Sequence, residues 1–114
     1  MANHPIPVKQ ANEMITQYLV YMKSLGVDTA KQTHSVSFTS KELLNWLSEV
    51  MPYADELKVC LAEYPNGYEH AGRMTTILWP YRDGRPATRP KIEGKGGGDD
   101  DEEIPPYNDG TLDP

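Results

Sequence analysis

The single cysteine, Cys60, and the histidine nearest to it, His70, are the side chains that could together perform nucleophilic chemistry. A cysteine nucleophile needs its base within hydrogen-bonding distance. Cys60 is predicted to lie in the middle of a strand and His70 in a connecting loop, about 10 Å or more away at about 3.3 Å per residue. We therefore interpret Cys60 as a small thiol packed inside a sheet.

The other histidines, serines, acids and glycines lack the spacing of a catalytic, metal or phosphate site. His34 precedes Ser35 without the G-x-S-x-G context of a serine nucleophile. The acids at 99–103 do not alternate as calcium ligands do. The glycine-rich stretch 94–98 has no following Lys-Ser/Thr and helix, so it does not match a phosphate loop. We predict no catalytic residue, no metal and no cofactor.

Two groups of residues favour binding rather than catalysis. Tyr, Trp and Arg dominate binding energy at protein interfaces, and a Pro-Pro-aromatic segment is partly extended before it docks. The candidate partner-binding residues surround a predicted hairpin or lie near the C-terminus: Tyr64, Tyr68, Arg73, Trp79, Tyr81, Pro105, Pro106 and Tyr107. Trp79 is equally well explained as a core residue, and the proline segment as a stretch that folds back over the sheet.

Two helices are predicted to position these residues. Apolar residues at spacings of three and four predict a helix from Val8 to Leu25, with Gly26 just past its end. Its even spacing lasts under three heptads, which favours a core-facing helix and leaves a weak homodimer open. Thr39 and Glu42 match a capping box that starts a second helix, which Pro52 ends.

Three short strands complete the predicted body: Ser35–Phe38, Leu57–Tyr64 and Met74–Trp79. The fold class is α+β, in the order α-β-α-β-β, with both helices packed on one face of a small three-stranded mixed sheet. The β-α-β part should be a right-handed parallel crossover, and the last two strands an antiparallel hairpin.

The hairpin register stays open at this point, and it decides what the uncovered sheet face shows. If Val59 faces Leu78, that face carries Lys58 beside Trp79, Cys60 beside Ile77, and Tyr64 beside Arg73. A slip of one residue would instead expose Met74, Thr76 and Leu78. In either register, the uncovered face keeps more bulky apolar side chains than a solvated sheet face normally has, which is typical of an interface.

Residues 82–114 are rich in proline and glycine and poor in apolar side chains. Their charge is segregated: residues 82–95 carry five bases and two acids, a net +3, and residues 96–114 carry seven acids and no base. Such a segment buries too little surface to offset the entropy of ordering it. We therefore predict a folded domain at 1–81 and a disordered linker with an acidic tail at 82–114.

Composition excludes several classes of function. The formal net charge of −6 over 114 residues argues against binding nucleic acid. No apolar run is long enough to span a bilayer, and the first residues lack a secretory apolar region. With one cysteine, no internal disulfide can form. We expect a cytoplasmic protein that binds neither nucleic acid nor membrane.

The leading hypothesis is a small, non-enzymatic accessory module that binds a protein partner through its open sheet face or edge and its C-terminal tail. The acidic tail favours a basic partner. An alternative is a small-ligand-binding protein or enzyme that uses the hairpin loop, with Arg73 for an anion and His70 or Glu69 for proton transfer. A further alternative is a precursor with a folded leader, a Gly-Gly cleavage point and a modified tail, although no cysteine lies downstream.

Overall fold

The computed structural model describes residues 3–91, 101–108 and 111–113. These residues form two helices and seven short strands. In chain order the elements are α1 (Val8–Ser24), β1 (Ser35–Ser37), α2 (Ser40–Val50), β2 (Glu56–Glu63), β3 (Met74–Arg82), β4 (Arg85–Pro86), β5 (Thr88–Pro90), β6 (Asp101–Glu103) and β7 (Thr111–Asp113).

The helix α1 ends in a backbone motif that needs a glycine. Gly26 has a φ of +87°, and its N–H donates to the carbonyl of Lys23 at 3.0 Å. The next N–H, of Val27, donates to the carbonyl of Met22 at 3.1 Å. These two bonds satisfy carbonyls that a helix terminus otherwise leaves unpaired. The predicted end of the first helix is confirmed.

The helix α2 starts after Thr39, as predicted, but without the predicted capping box. Thr39 has an extended backbone, and its side chain makes no capping hydrogen bond. Glu42 lies in the first turn, where its negative charge complements the positive end of the helix dipole. The helix ends at Val50, two residues before Pro52, whose ring nitrogen carries no hydrogen to continue the helical hydrogen bonds.

The strands β2 and β3 form the predicted antiparallel hairpin, in the register that places Val59 opposite Leu78. Lys58 lies opposite Trp79, and Cys60 opposite Ile77. Beyond the strand ends, the N–H of Tyr64 donates to the carbonyl of Arg73 at 3.1 Å, as that register requires.

The third strand of the sheet is β4, and the predicted mixed sheet with a parallel β1 is wrong. The strand order is β2-β3-β4, all antiparallel, whereas β1 pairs antiparallel with β7. Asp83 and Gly84, both with positive φ, make the two-residue turn that brings β4 back beside β3. The third strand therefore joins the sheet beside β3, whereas the predicted parallel β1 would have paired with β2.

The described part of residues 82–114 does not match the predicted disordered tail. Strands β4 to β7 lie in this segment, and the boundary predicted after residue 81 falls inside β3. Ile104 is 1% exposed and joins Val50 and Ala87 in the core. The prediction of disorder underestimated the surface that two side chains, Ile104 and Tyr107, remove from water. Residues 92–100, 109–110 and 114 lie outside the described residues.

The α+β class is confirmed, and both helices contact the same face of the sheet. We call this the helix face; on β3 it carries Met74, Thr76, Leu78 and Pro80. The Tyr18 hydroxyl of α1 lies 3.8 Å from the sulfur of Met74. Trp46 of α2 packs on Tyr107, which pairs with Leu78. No residue of α1 is buried, so α1 covers the sheet only loosely.

Candidate protein-binding surface

The outer side of β2 is a sheet edge without a partner strand in the described part of the chain. β2 is eight residues long and pairs with β3 alone. The outer side of β3, by contrast, is occupied by β4 and by Tyr107. A strand edge presents a row of backbone donors and acceptors to solvent, which can template pairing with another chain.

The hydrogen bonds of β3 show which residues of β2 present their backbone groups outward. Leu78 exchanges both of its backbone bonds with Tyr107, at 2.8 and 2.9 Å, on the side away from β2. Its opposite residue, Val59, therefore belongs to a non-hydrogen-bonded pair, and its N–H and C=O point away from β3. Because this orientation alternates along a strand, Leu57 and Leu61 also point their backbone groups outward.

The same three residues expose apolar side chains. The exposed fractions are 38% for Leu57, 63% for Val59 and 75% for Leu61. Their side chains lie on the helix face, beyond the part of it that the helices cover. We call Leu57, Val59 and Leu61 the β2 edge. An exposed apolar edge is a feature that natural sheets normally avoid, so the β2 edge is a candidate site of interaction.

Two cavities, each of about 200 Å³, lie at the two ends of the β2 edge. The cavity at the Leu57 end lies against the last turn of α2, where Leu47 and Met51 line it. The cavity at the Leu61 end lies against α1 and β3, where Tyr18 and Met74 line it. Each cavity has room for a branched apolar side chain that approaches along the edge.

The opposite face of the sheet carries most of the predicted binding residues, and we call it the aromatic face. The Trp79 and Tyr81 rings lie 6.5 Å apart, edge to face, and the Lys58 ammonium lies 4.9 Å from the centre of the Tyr81 ring. At the hairpin end, Tyr64 lies 6.5 Å from Tyr68 and 5.8 Å from His70. The structure thus gathers the hairpin candidates into two aromatic groups.

Two nitrogen-bearing side chains of the aromatic face have buried donors without partners in the described residues. They are Nε1 of Trp79 and the Nε and Nη2 atoms of Arg73. A buried donor without an acceptor costs about 1–3 kcal/mol. Both side chains are half-buried overall, and these donor atoms are shielded from water.

Of the binding candidates near the C-terminus, Tyr107 packs against other parts of the fold, whereas Pro105 and Pro106 lie at the surface. Tyr107 is half-buried, with its ring 4.8 Å from Trp46 and 5.5 Å from Phe38. Through these contacts, Tyr107 packs the C-terminal segment against the body. Pro105 and Pro106 are exposed, and their part in binding stays a prediction.

The residues of the alternative small-ligand site differ in exposure, and Arg73 is half-buried with two shielded guanidinium nitrogens. His70 is half-buried beside Tyr64, and Glu69 is exposed. Cys60 is half-buried in β2. Among the described residues, no group of three or more His, Cys, Asp or Glu side chains is arranged to hold a metal ion. Within the same residues, neither helix has the length and apolarity that a membrane crossing requires.

Sequence reasoning did not identify the outer side of β2 as an open edge. The sequence places Leu57, Val59 and Leu61 on one face of the predicted sheet and leaves open which face the helices cover. The signal that could have identified this edge is the Asp83-Gly84 turn, because a tight turn after β3 predicts that the third strand joins on the β3 side. β2 is then left at the outside of the sheet.

Comparisons with known proteins give no match to this chain, whether with protein-family models, curated proteins or solved structures.

Proposed function

We propose that this protein is a small interaction module that binds a protein partner by accepting a strand of that partner along the β2 edge. The observation that carries the proposal is the coincidence of two features at Leu57, Val59 and Leu61. Their backbone groups point outward from the sheet, and their apolar side chains are exposed. Strand addition uses main-chain hydrogen bonds for affinity and alternate side chains for specificity.

The two faces of the sheet would contribute different contacts to an added strand. Its residues alternate between the faces, so every second side chain would lie beside the exposed row of Val59 and Leu61. The others would lie toward the aromatic face, beside Lys58 and Cys60. A partner strand with apolar residues at alternate positions fits this arrangement.

A cytoplasmic location belongs to the same proposal. The single cysteine provides no disulfide framework of the kind that small secreted domains use. Binding of a basic partner by the acids near the C-terminus stays a prediction, although one of these acids, Glu102, lies 4.0 Å from Arg89 of this chain.

Site-specific photo-crosslinking in the source cells tests the proposal. A benzophenone amino acid replaces Val59 in one variant and Val20 in a control variant. Val20 is a matched control because it is also an exposed valine, at 57% against 63%, but lies on α1. We expect a discrete protein adduct, identified by mass spectrometry, from position 59 and not from position 20. Equal adducts from both positions, or none from position 59, would contradict the proposal.

A further inference from the structure

We infer that the strand accepted by the β2 edge is the β2 strand of a second copy of this chain, paired antiparallel about a two-fold axis at Val59. This inference rests on the proposed function of the β2 edge and names the partner. In this register Val59 lies opposite Val59 of the second copy, and Leu57 lies opposite Leu61 of the second copy. The two sheets then join into one antiparallel sheet.

The backbone groups of the β2 edge are spaced for this symmetric pairing. Leu57, Val59 and Leu61 all direct their N–H and C=O groups outward, and Val59 is the middle of the three. In an antiparallel ladder, residues of this kind form pairs that exchange both of their hydrogen bonds. A two-fold axis at Val59 makes three such pairs and about six hydrogen bonds.

The side chains single out this register from its neighbours. With the axis at Val59, apolar residues of the β2 edge meet only one another, and Lys58 faces Cys60 of the second copy. With the axis at Lys58, the two lysines would lie opposite each other, which is destabilising. With the axis at Cys60, Leu57 would face Glu63 of the second copy.

The charges at its ends also limit the ladder. With the axis at Val59, Glu63 would reach Asp55 of the second copy, and two carboxylates repel each other. The pairing therefore stops after Leu57 and Leu61 at its two ends. The two leucines that end the ladder also line the two 200 Å³ cavities, one at each end. In the dimer, Leu61 of the second copy therefore lies beside the cavity next to Leu57.

The size of this contact predicts a reversible dimer. Stable protein interfaces bury about 1,200–2,000 Å² in total, and a ladder that runs only from Leu57 to Leu61 is shorter than such an interface needs. Tyr18 of α1 lines the cavity at the Leu61 end, so the edge of α1 adds apolar surface beside the ladder. We expect monomer and dimer to exchange as the protein concentration changes.

Sedimentation equilibrium of the full chain tests the inference. Val59→Lys places a charge at the centre of the ladder, and Val20→Lys makes the same change at an exposed site of α1. We expect the dissociation constant of the dimer to rise about tenfold or more in Val59→Lys and to stay unchanged in Val20→Lys. A wild-type chain that stays monomeric at all soluble concentrations, or a dimer that Val59→Lys leaves intact, overturns the inference.

Disulfide trapping tests the register and does not depend on how Val59→Lys folds. In a Cys60→Ser background, Val59→Cys places the two thiols in a pair whose Cα atoms are about 5.5 Å apart, within reach of a disulfide. Leu57→Cys is the matched control, because the two copies of residue 57 would be about 14 Å apart at 3.4 Å per residue. We expect oxidation to link Val59→Cys and not Leu57→Cys. Equal linking of both variants, or linking of Leu57→Cys alone, overturns the register.

The two proposals fail separately. If the wild-type chain is monomeric while the benzophenone at position 59 captures a different protein, the second copy is excluded and strand addition at the β2 edge stands. If position 59 captures nothing and the chain is monomeric, both proposals fail.

Discussion

Ile104 is 1% exposed, although it follows an acidic strand and precedes two prolines. It packs with Val50 of α2 and Ala87, which precedes β5, and its N–H donates to the carbonyl of Ala87 at 3.1 Å. Since the described core has few fully buried side chains, this one residue contributes a large share of the apolar burial. The C-terminal segment is therefore part of what stabilises the body.

Replacing Ile104 by alanine should lower the free energy of unfolding by about 2–5 kcal/mol, the usual cost of this truncation in a core. Urea denaturation of the full chain measures it. Leu44→Ala is the control, because Leu44 is 63% exposed on α2, and surface changes usually stay within about 0.5 kcal/mol. Equal effects of the two variants would show that Ile104 is not buried.

The hairpin of β5 and β6 joins a basic strand to an acidic one. Arg89 lies opposite Glu102, with Nε 4.0 Å from a carboxylate oxygen. In the sequence, the segregated charge of residues 82–114 predicts a linker followed by an acidic tail. Opposite charges on two neighbouring stretches also predict that the stretches pair, since opposite-charge pairs across a ladder are stabilising.

Reversing one charge of this pair should destabilise the hairpin, and reversing both should restore it. We expect Arg89→Glu and Glu102→Arg each to lower the free energy of unfolding. The double variant should recover a coupling energy of about 0.2–1 kcal/mol, the range for partly exposed pairs. A double-mutant cycle in urea at low and high salt measures the coupling. A coupling of zero at low salt would contradict the pairing of Arg89 with Glu102.

The elements whose signals are local could be predicted from the sequence, and those whose partners are distant could not. The helix α1 and its stop at Gly26 follow from residue spacing and one glycine. The pairing of β2 with β3 follows from their neighbouring positions in the chain. β1 is different, because its three residues pair with β7, more than seventy positions away. Alternation of side chains marks a strand but does not specify its partner.

At the scale of the whole molecule, the two outer sides of the β2-β3 hairpin differ in whether another segment pairs with them. The edge of β3 is closed by β4 and by the bridge from Leu78 to Tyr107, while β2 pairs with no other strand in the described residues. The sequence indicated a surface of aromatic residues beside the hairpin, and the structure places them on one face. The β2 edge does not follow from the residue pattern of β2 itself, because it depends on which side of the hairpin the third strand joins; the Asp83-Gly84 turn is the sequence signal for that side.

Residue-resolved amide hydrogen exchange of the full chain tests this asymmetry most directly. In dilute solution, the amides of Leu57, Val59 and Leu61 should exchange fast, while those of Lys58 and Cys60, which face β3, should be protected. As the concentration rises through the monomer–dimer transition, the first three should become protected as well. Slow exchange at Val59 in the dilute monomer, or fast exchange at Val59 throughout the range in which dimers form, would contradict a β2 edge that binds a second strand.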